Sequence, residues 1–281
     1  IVLAEKAQHR LASLVNAKML IQNKKPEEAQ PILDRLTKDF PRWGEPHYYK
    51  GVAHLNKGEI EQSFAAAGKA LELAPNSADA HTLVAHHQLL KRKFDSARNE
   101  AETALQQAPR NLRAALVLGK AYLSLGETRK AADLFEQMAR HMPENIEVRY
   151  NQALAYAGLG DTEKAAETFE KALDVNPDFT PAMMALSNIA VQEDKAGQAI
   201  ERVRKQIQKS PENADYLILL AYLLDKHADS PEEALENLRK AREIAPDTPR
   251  IYTMAADILV RLGQTDEAIK EYRELTEKQS G

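Results

Sequence analysis

Histidines and carboxylates are the side chains of this sequence whose types and spacing most invite a chemical reading. His81, His86 and His87 lie close together on one expected helix, and His47 and His54 lie on the equivalent helix upstream. Imidazole nitrogens brought together in this way suit a metal such as zinc, which takes nitrogen and sulfur ligands in a tetrahedral shell. Their spacing matches no standard ligand pattern, HExxH included, so no metal is expected. The 42 Asp and Glu residues follow helix-surface spacing, and no pair stands out as an acid and a base. There is no Walker A loop, no dinucleotide glycine fingerprint and no Gly-x-Ser-x-Gly elbow. The absence of cysteine excludes disulfides, thiolate catalysis and cysteine-bound metals. The triplet Lys91-Arg92-Lys93 reads as a solvated turn, with contact to an anion as the weaker alternative. The sequence is therefore expected to encode no enzyme and to need no cofactor.

What must position these side chains is helix throughout. Apolar residues make up 43% of the 281 and charged residues 28%, which is globular and not disordered. Alanine and leucine abound and β-branched residues are sparse, which favours helix. A chain of this length is near the limit of one compact core, so two domains or an elongated repeat architecture are the options. No apolar run reaches the roughly 18–20 residues that cross a bilayer, so no direct membrane insertion is expected. Ile1 is not Met, and neither a basic n-region nor an apolar h-region precedes the helical pattern. Ile1 is expected to follow a removed or omitted segment that carries any signal or anchor. The compartment stays open between a bacterial periplasm or envelope and the cytoplasm.

Prolines supply a ruler. Pro41, Pro75, Pro109, Pro143, Pro177, Pro211 and Pro246 are separated by 34, 34, 34, 34, 34 and 35 residues. A fixed period of this size marks a repeat architecture. A 34-residue period holding two helical segments resembles the tetratricopeptide repeat (TPR) family. With each Pro at consensus position 32, repeats cover 10–43, 44–77, 78–111, 112–145, 146–179, 180–213, 214–248 and 249–281. Position 8 is then small throughout: Ala17, Gly51, Ala85, Gly119, Ala153, Ser187, Ala221 and Ala256. Position 20 is Ala in every repeat except the second, which has Ser63. The fourth and fifth repeats fit best, with Tyr122, Phe135, Tyr156 and Phe169, and the sixth is the most degenerate. The last repeats keep register only if one residue is inserted near His227–Ser230. The resemblance covers nearly the whole chain. It implies one domain over 1–281, an all-α fold and a right-handed α-solenoid (a superhelix) of eight tandem antiparallel hairpins.

The consensus positions have physical reasons. Small residues let neighbouring helices approach, and aromatic residues fill what space remains. Proline stands just beyond the second helix, where the helix must end. Gly58, Gly126, Gly160 and Gly263 fall at position 15 and suit the left-handed residue after a helix. Asp161, Ser230 and Pro26 read as start signals for second helices. Leu3, Ala7, Leu11 and Leu14 sit at helical spacing. The first helix is thus expected to start near residue 2; the alternative is that residues 1–9 are the remnant of a preceding second helix. The eighth repeat is not followed by a solvating helix, so Ile269, Tyr272 and Leu275 are expected to be partly exposed and open to self-association.

In TPR proteins the concave face is lined mainly by positions 2, 5, 9, 12 and 13 of the first helices. Position 5 reads Leu14, Tyr48, Thr82, Leu116, Tyr150, Met184 and Ile218, with Thr253 last. Position 9 reads Lys18, Val52, His86, Lys120, Leu154, Asn188 and Tyr222, with Asp257 last. The resemblance makes the first seven of each row candidate contacts for a protein or peptide partner. Tyrosines are amphipathic anchors of the kind enriched at interfaces, although curvature can also pack them within the wall. No three adjacent repeats carry the Lys and Asn set that TPR domains use to clamp a C-terminal carboxylate. Asn151 alone at position 6 is not the asparagine ladder of the O-linked N-acetylglucosamine transferase arm.

Net charge is −4, which argues against nucleic acid as a partner. The balance is uneven: residues 1–143 carry 21 basic and 16 acidic side chains, and 144–281 carry 17 and 26. Such asymmetry favours an oriented partner or head-to-tail association, or is surface drift along a repeat array. A protein-binding scaffold is the leading expectation. A self-associating module of a bacterial envelope, secretion or polysaccharide-export complex, and the regulatory arm of a larger enzyme, are the alternatives. The bacterial setting rests on idiom, such as "NPDF" and "LGDTEKA".

Overall fold

The computed structural model describes the backbone of residues 2–279 and the side chains of residues 9–278. Among the described residues every element is an α-helix. In order they are α1 (Val2–Gln22), α2 (Pro26–Asp39), α3 (Gly44–Asn56), α4 (Ile60–Leu73), α5 (Ala78–Leu90), α6 (Phe94–Gln107), α7 (Leu112–Ser124) and α8 (Thr128–His141). They continue with α9 (Ile146–Gly158), α10 (Thr162–Val175), α11 (Thr180–Gln192), α12 (Ala196–Lys209), α13 (Ala214–His227), α14 (Pro231–Ile244), α15 (Pro249–Arg261) and α16 (Thr265–Gln279). Odd and even helices pair as tandem hairpins. Helix α1 is continuous over 21 residues from Val2, as a long first helix requires; the side chains of Leu3 and Ala7 lie outside the described residues. No described helix is long and apolar enough to cross a membrane.

Helix starts follow from side-chain caps. Asp161 accepts the Lys164 amide at 3.2 Å, as its position suggests. Asn111, Asn145 and Asn213 cap α7, α9 and α13 in the same way. Ser230 stands at the N-cap of α14 but does not cap it; its hydroxyl turns back and donates to the Ala228 carbonyl at 3.0 Å. Pro231 at N1 supplies the fixed φ there instead. The extra residue near 228 is real: α13 has 14 residues where α11 and α15 have 13.

Each turn inside a hairpin needs one left-handed residue. Gly58, Gly126, Gly160 and Gly263 supply it at φ +74 to +78°; Lys24, Arg92, Asp194 and Asp229 supply it at φ +47 to +59°. Only glycine adopts that conformation without steric cost.

The chain divides into two compact units, Ile1–Met138 and Ala139–Gly281. The core of the first is built from small clusters. Leu14, Leu33 and Leu36 join α1 to α2, and Tyr48, Ala67, Leu83 and Val84 join α3, α4 and α5. Alanines such as Ala29, Ala97 and Ala101 are fully buried where helices touch. The second unit has one continuous apolar cluster with larger side chains, among them Phe169, Leu186, Tyr216, Leu223 and Tyr252. Burial of this kind contributes about 25 cal/mol per Å² of apolar surface and is what lets short hairpins stand.

Candidate functional site

The two candidate rows run along the first helices of each unit, and burial separates them. At position 5, Leu14, Tyr48, Thr82 and Ile218 are buried. Leu116 and Tyr150 are half-buried, and Met184 is 37% exposed. At position 9 none of the seven is buried. Lys18, Val52, His86, Lys120 and Leu154 are half-buried, and Asn188 and Tyr222 are exposed. Position 5 is thus mostly wall, and position 9 is the surface.

The wall residues show why. The Tyr48 ring packs edge-on against Tyr49 at 4.8 Å, between α3 and the start of the next hairpin. Burial, followed by the nearby Asp79 carboxylate, pushes its hydroxyl up to about 12. Tyr150 leans on Phe169 and Phe179 at 5.7 and 5.3 Å, and burial raises its hydroxyl as well. Thr82 donates to the Ala78 carbonyl at 2.7 Å and accepts from the Asn111 amide at 3.1 Å, which ties α5 to the start of α7.

Position 9 is the more accessible row. In the first unit Lys18 donates to Glu45 at 2.7 Å and lies over the Tyr49 ring at 4.6 Å. Burial opposes its charge, but Glu45 and Tyr49 outweigh that and raise its pKa. In the second unit the row is uncharged from Leu154 through Asn188 to Tyr222, with Met184 and Tyr222 each 37% exposed. Val260 on α15 is 53% exposed. Asp225, at the end of α13, is held by Arg261 and Lys226; burial works against its charge, and these two cations hold its carboxyl below the usual range. Leu11 and Leu90 in the first unit, and Val260 in the second, are exposed apolar residues that rows 5 and 9 leave out. They stand at positions 2, 13 and 12, so the same helical register locates them.

Three of the histidines are engaged within the fold. His81 bridges Glu100 at 2.6 Å and the Pro75 carbonyl at 2.8 Å. His54 pairs with Glu59 at 2.5 Å. His87 meets Ser63 at 2.9 Å. Among the described residues no three His, Asp or Glu side chains form a group that would hold a metal. Lys91, from the basic triplet, reaches back to Glu61 at 3.0 Å. Asn151 is buried and donates to the Glu147 carbonyl of its own helix at 2.7 Å, so it presents no amide to a ligand.

Known proteins give the same picture of the fold. Tetratricopeptide repeat models match residues 14–78, 88–150, 125–189 and 227–281. No curated protein matches the sequence. Among solved structures, a chain of the APC/C hetero-tetramer Cut9-Hcn1 is 17% identical with a TM-score of 0.62. That match covers 88% of this chain, which spans 48% of the other's length. A tetratricopeptide repeat protein from Parabacteroides merdae is 14% identical with a TM-score of 0.66, over 90% of this chain and 99% of that one. PilF of Pseudomonas aeruginosa is 22% identical with a TM-score of 0.57, over 77% and 98%. At these identities the likeness is one of fold.

Proposed function

The chain belongs to the tetratricopeptide repeat family, and from that premise we propose that it is a non-catalytic scaffold that holds a segment of another protein in a groove along its first helices. The contact surface is row 9 together with the exposed end of row 5. Leu154, Met184, Asn188 and Tyr222 in residues 139–281 are its apolar, tyrosine-bearing part. The observation that carries this reading is the pair Met184 and Tyr222, large apolar side chains that stay 37% exposed on α11 and α13 while their neighbours are buried. An aromatic anchor flanked by aliphatic side chains suits an extended or helical peptide with apolar residues of its own. In residues 1–138, taken by themselves, the corresponding candidates are Val52, His86, Leu116 and Lys120. Leu14, Tyr48, Thr82 and Ile218 hold it from behind.

The test is capture of partners from the source cell by the wild type, by Met184→Ala/Tyr222→Ala and by Lys205→Ala on the outer helix α12. A partner kept by the wild type and by Lys205→Ala but lost from the double variant supports the reading. Equal retention by all three overturns it.

A second reading is self-association through α16, favoured by Ile269 and Tyr272, which are 42% and 43% exposed. Light scattering that finds a monomer at high concentration excludes it.

A further inference from the structure

One position pair breaks the repeat. Position 20 is Ala in seven repeats and Ser63 in the second; position 10 is apolar in seven repeats and His87 in the third. The two exceptions face each other. His87 is fully buried, and its Nε2 lies 2.9 Å from the Ser63 hydroxyl. Ser63 is itself fully buried and donates to the Gly51 carbonyl at 2.6 Å. Since the serine proton is committed to Gly51, its oxygen accepts, and His87 must carry its proton on Nε2. Nδ1 is left as a bare acceptor, buried with no hydrogen-bond partner. The chain of contacts runs from α3 through α4 to α5 and so joins the second hairpin to the third.

We propose that this junction is an acid-sensitive joint: a proton taken up at His87 Nδ1 places an unpaired cation between the second and third hairpins and loosens their packing. The surroundings offer that cation little. From α4, Phe64 meets the ring edge-on at 5.5 Å, and Glu61 is already paired with Lys91 at 3.0 Å. From α3 comes the Gly51 carbonyl, which Ser63 occupies. On α5 itself the neighbours His86 and Lys91 are like charges or become so. Burial first, then His86 and Lys91, lower the His87 pKa, and Glu61 only partly opposes them. The neutral ring is therefore the folded form. The unfolded chain takes up the proton near about pH 6.5, so the joint is at full strength above that value and loses strength as pH falls through the folded pKa. His47 on α3, with Nε2 buried and unpartnered, acts in the same direction. His54 on α3 and His81 on α5 face the carboxylates Glu59 and Glu100. If the binding surface proposed above is correct, acid also relaxes the α5 segment that carries Thr82 and His86.

Hydrogen exchange of the whole chain without partner tests the joint apart from any binding. Amide protection in α4 and α5, corrected for intrinsic exchange, is compared between about pH 7.5 and pH 5, with α12 and α13 as reference. The wild type should lose about tenfold or more of its protection in α4 and α5 and not in the reference helices. Ser63→Ala/His87→Leu, which restores the residue types of Ala199 and Leu223, should lose less than about twofold. A wild type that keeps its protection, or a double variant that loses as much, overturns the proposal. Should the double variant fold poorly, the NMR titration of His87 in the wild type decides. Titration at or above the ordinary histidine value refutes the joint; an Nε2-protonated ring that resists protonation until α5 opens supports it.

Discussion

Replacing Gly119 by alanine should destabilise the protein, although it adds a better helix former to the interior of α7. A Cβ built on Gly119 would stand 2.7 and 2.8 Å from Cε2 and Cε1 of Phe135, and closer still to Cζ. Ordinary contact between carbons needs about 3.5 Å or more. Phe135 is fully buried on α8, so the ring must move by about an ångström or more inside a packed wall. Overpacking costs about 1–3 kcal/mol, and a shift this large belongs to the upper part of that range, about 2–3 kcal/mol. The intrinsic gain of Ala over Gly returns about 1 kcal/mol, which leaves a net loss of about 1–2 kcal/mol. Gly68 is the control, because it lies inside α4 with nothing within 4 Å of its own Cβ position. Gly68→Ala should stabilise by up to about 1 kcal/mol. With an m-value of about 2 kcal/mol per M, the two urea midpoints should separate by about 1 M. Because repeat arrays can unfold in steps, exchange of the α4 and α7 amides should accompany the midpoints. In the Gly119→Ala background, Phe135→Leu should recover part of the loss, a coupling of about 1 kcal/mol. A Gly119→Ala variant as stable as the wild type refutes the steric argument.

Four further outcomes follow from the same structure. Arg92→Gly should stabilise by about 0.5–1 kcal/mol, because the left-handed backbone at φ +57° costs arginine more than glycine; thermal unfolding measures it. Tyr48→Ala should cost about 3 kcal/mol and shift the urea midpoint, because Tyr48 is buried in the wall. Tyr222→Ala should leave the urea midpoint within about 0.5 kcal/mol of wild type while weakening partner capture. At alkaline pH, Tyr48 and Tyr216 ionise only at about 12 in the fold. Their contribution is full below about pH 10 and is lost as pH rises toward 12, so tyrosinate absorbance should appear in two phases, the later one coinciding with unfolding.

Much of the fold was legible because proline and alanine report local constraints. A helix must end before Pro41 or Pro75, and helices that touch need Ala97 or Ala165 between them. The one-residue shift near 228 was legible for the same reason, since an insertion displaces every later landmark. The site was legible only to the level of helical register. Register places Tyr48, Ile218 and Met184 on one row, but it does not say how far the following hairpin covers each. That depends on what the neighbour presents: Tyr48 is covered by the cluster containing Leu83 and Val84, whereas Met184 keeps over a third of its surface. Ser63 shows the same limit of register. In sequence it passes for a small residue at a close-packing position. Its hydroxyl matters only because His87, from the next repeat, is folded against it.

The division between buried position 5 and accessible position 9 also decides which substitutions can speak about binding. A scaffold of this kind uses one helix for two purposes, and residues four apart on α13 show it. Ile218 is 2% exposed and belongs to the core, while Tyr222, one turn further on, is 37% exposed. Truncating Ile218 would remove core packing and lower both stability and binding, so loss of a partner would not distinguish contact from collapse. Truncating Tyr222, which keeps over a third of its surface, removes less core packing than truncating Ile218. Among the proposed contacts, Met184, Asn188 and Tyr222 are exposed and are therefore the places to test binding with least disturbance of the fold, whereas Leu154 packs against the core.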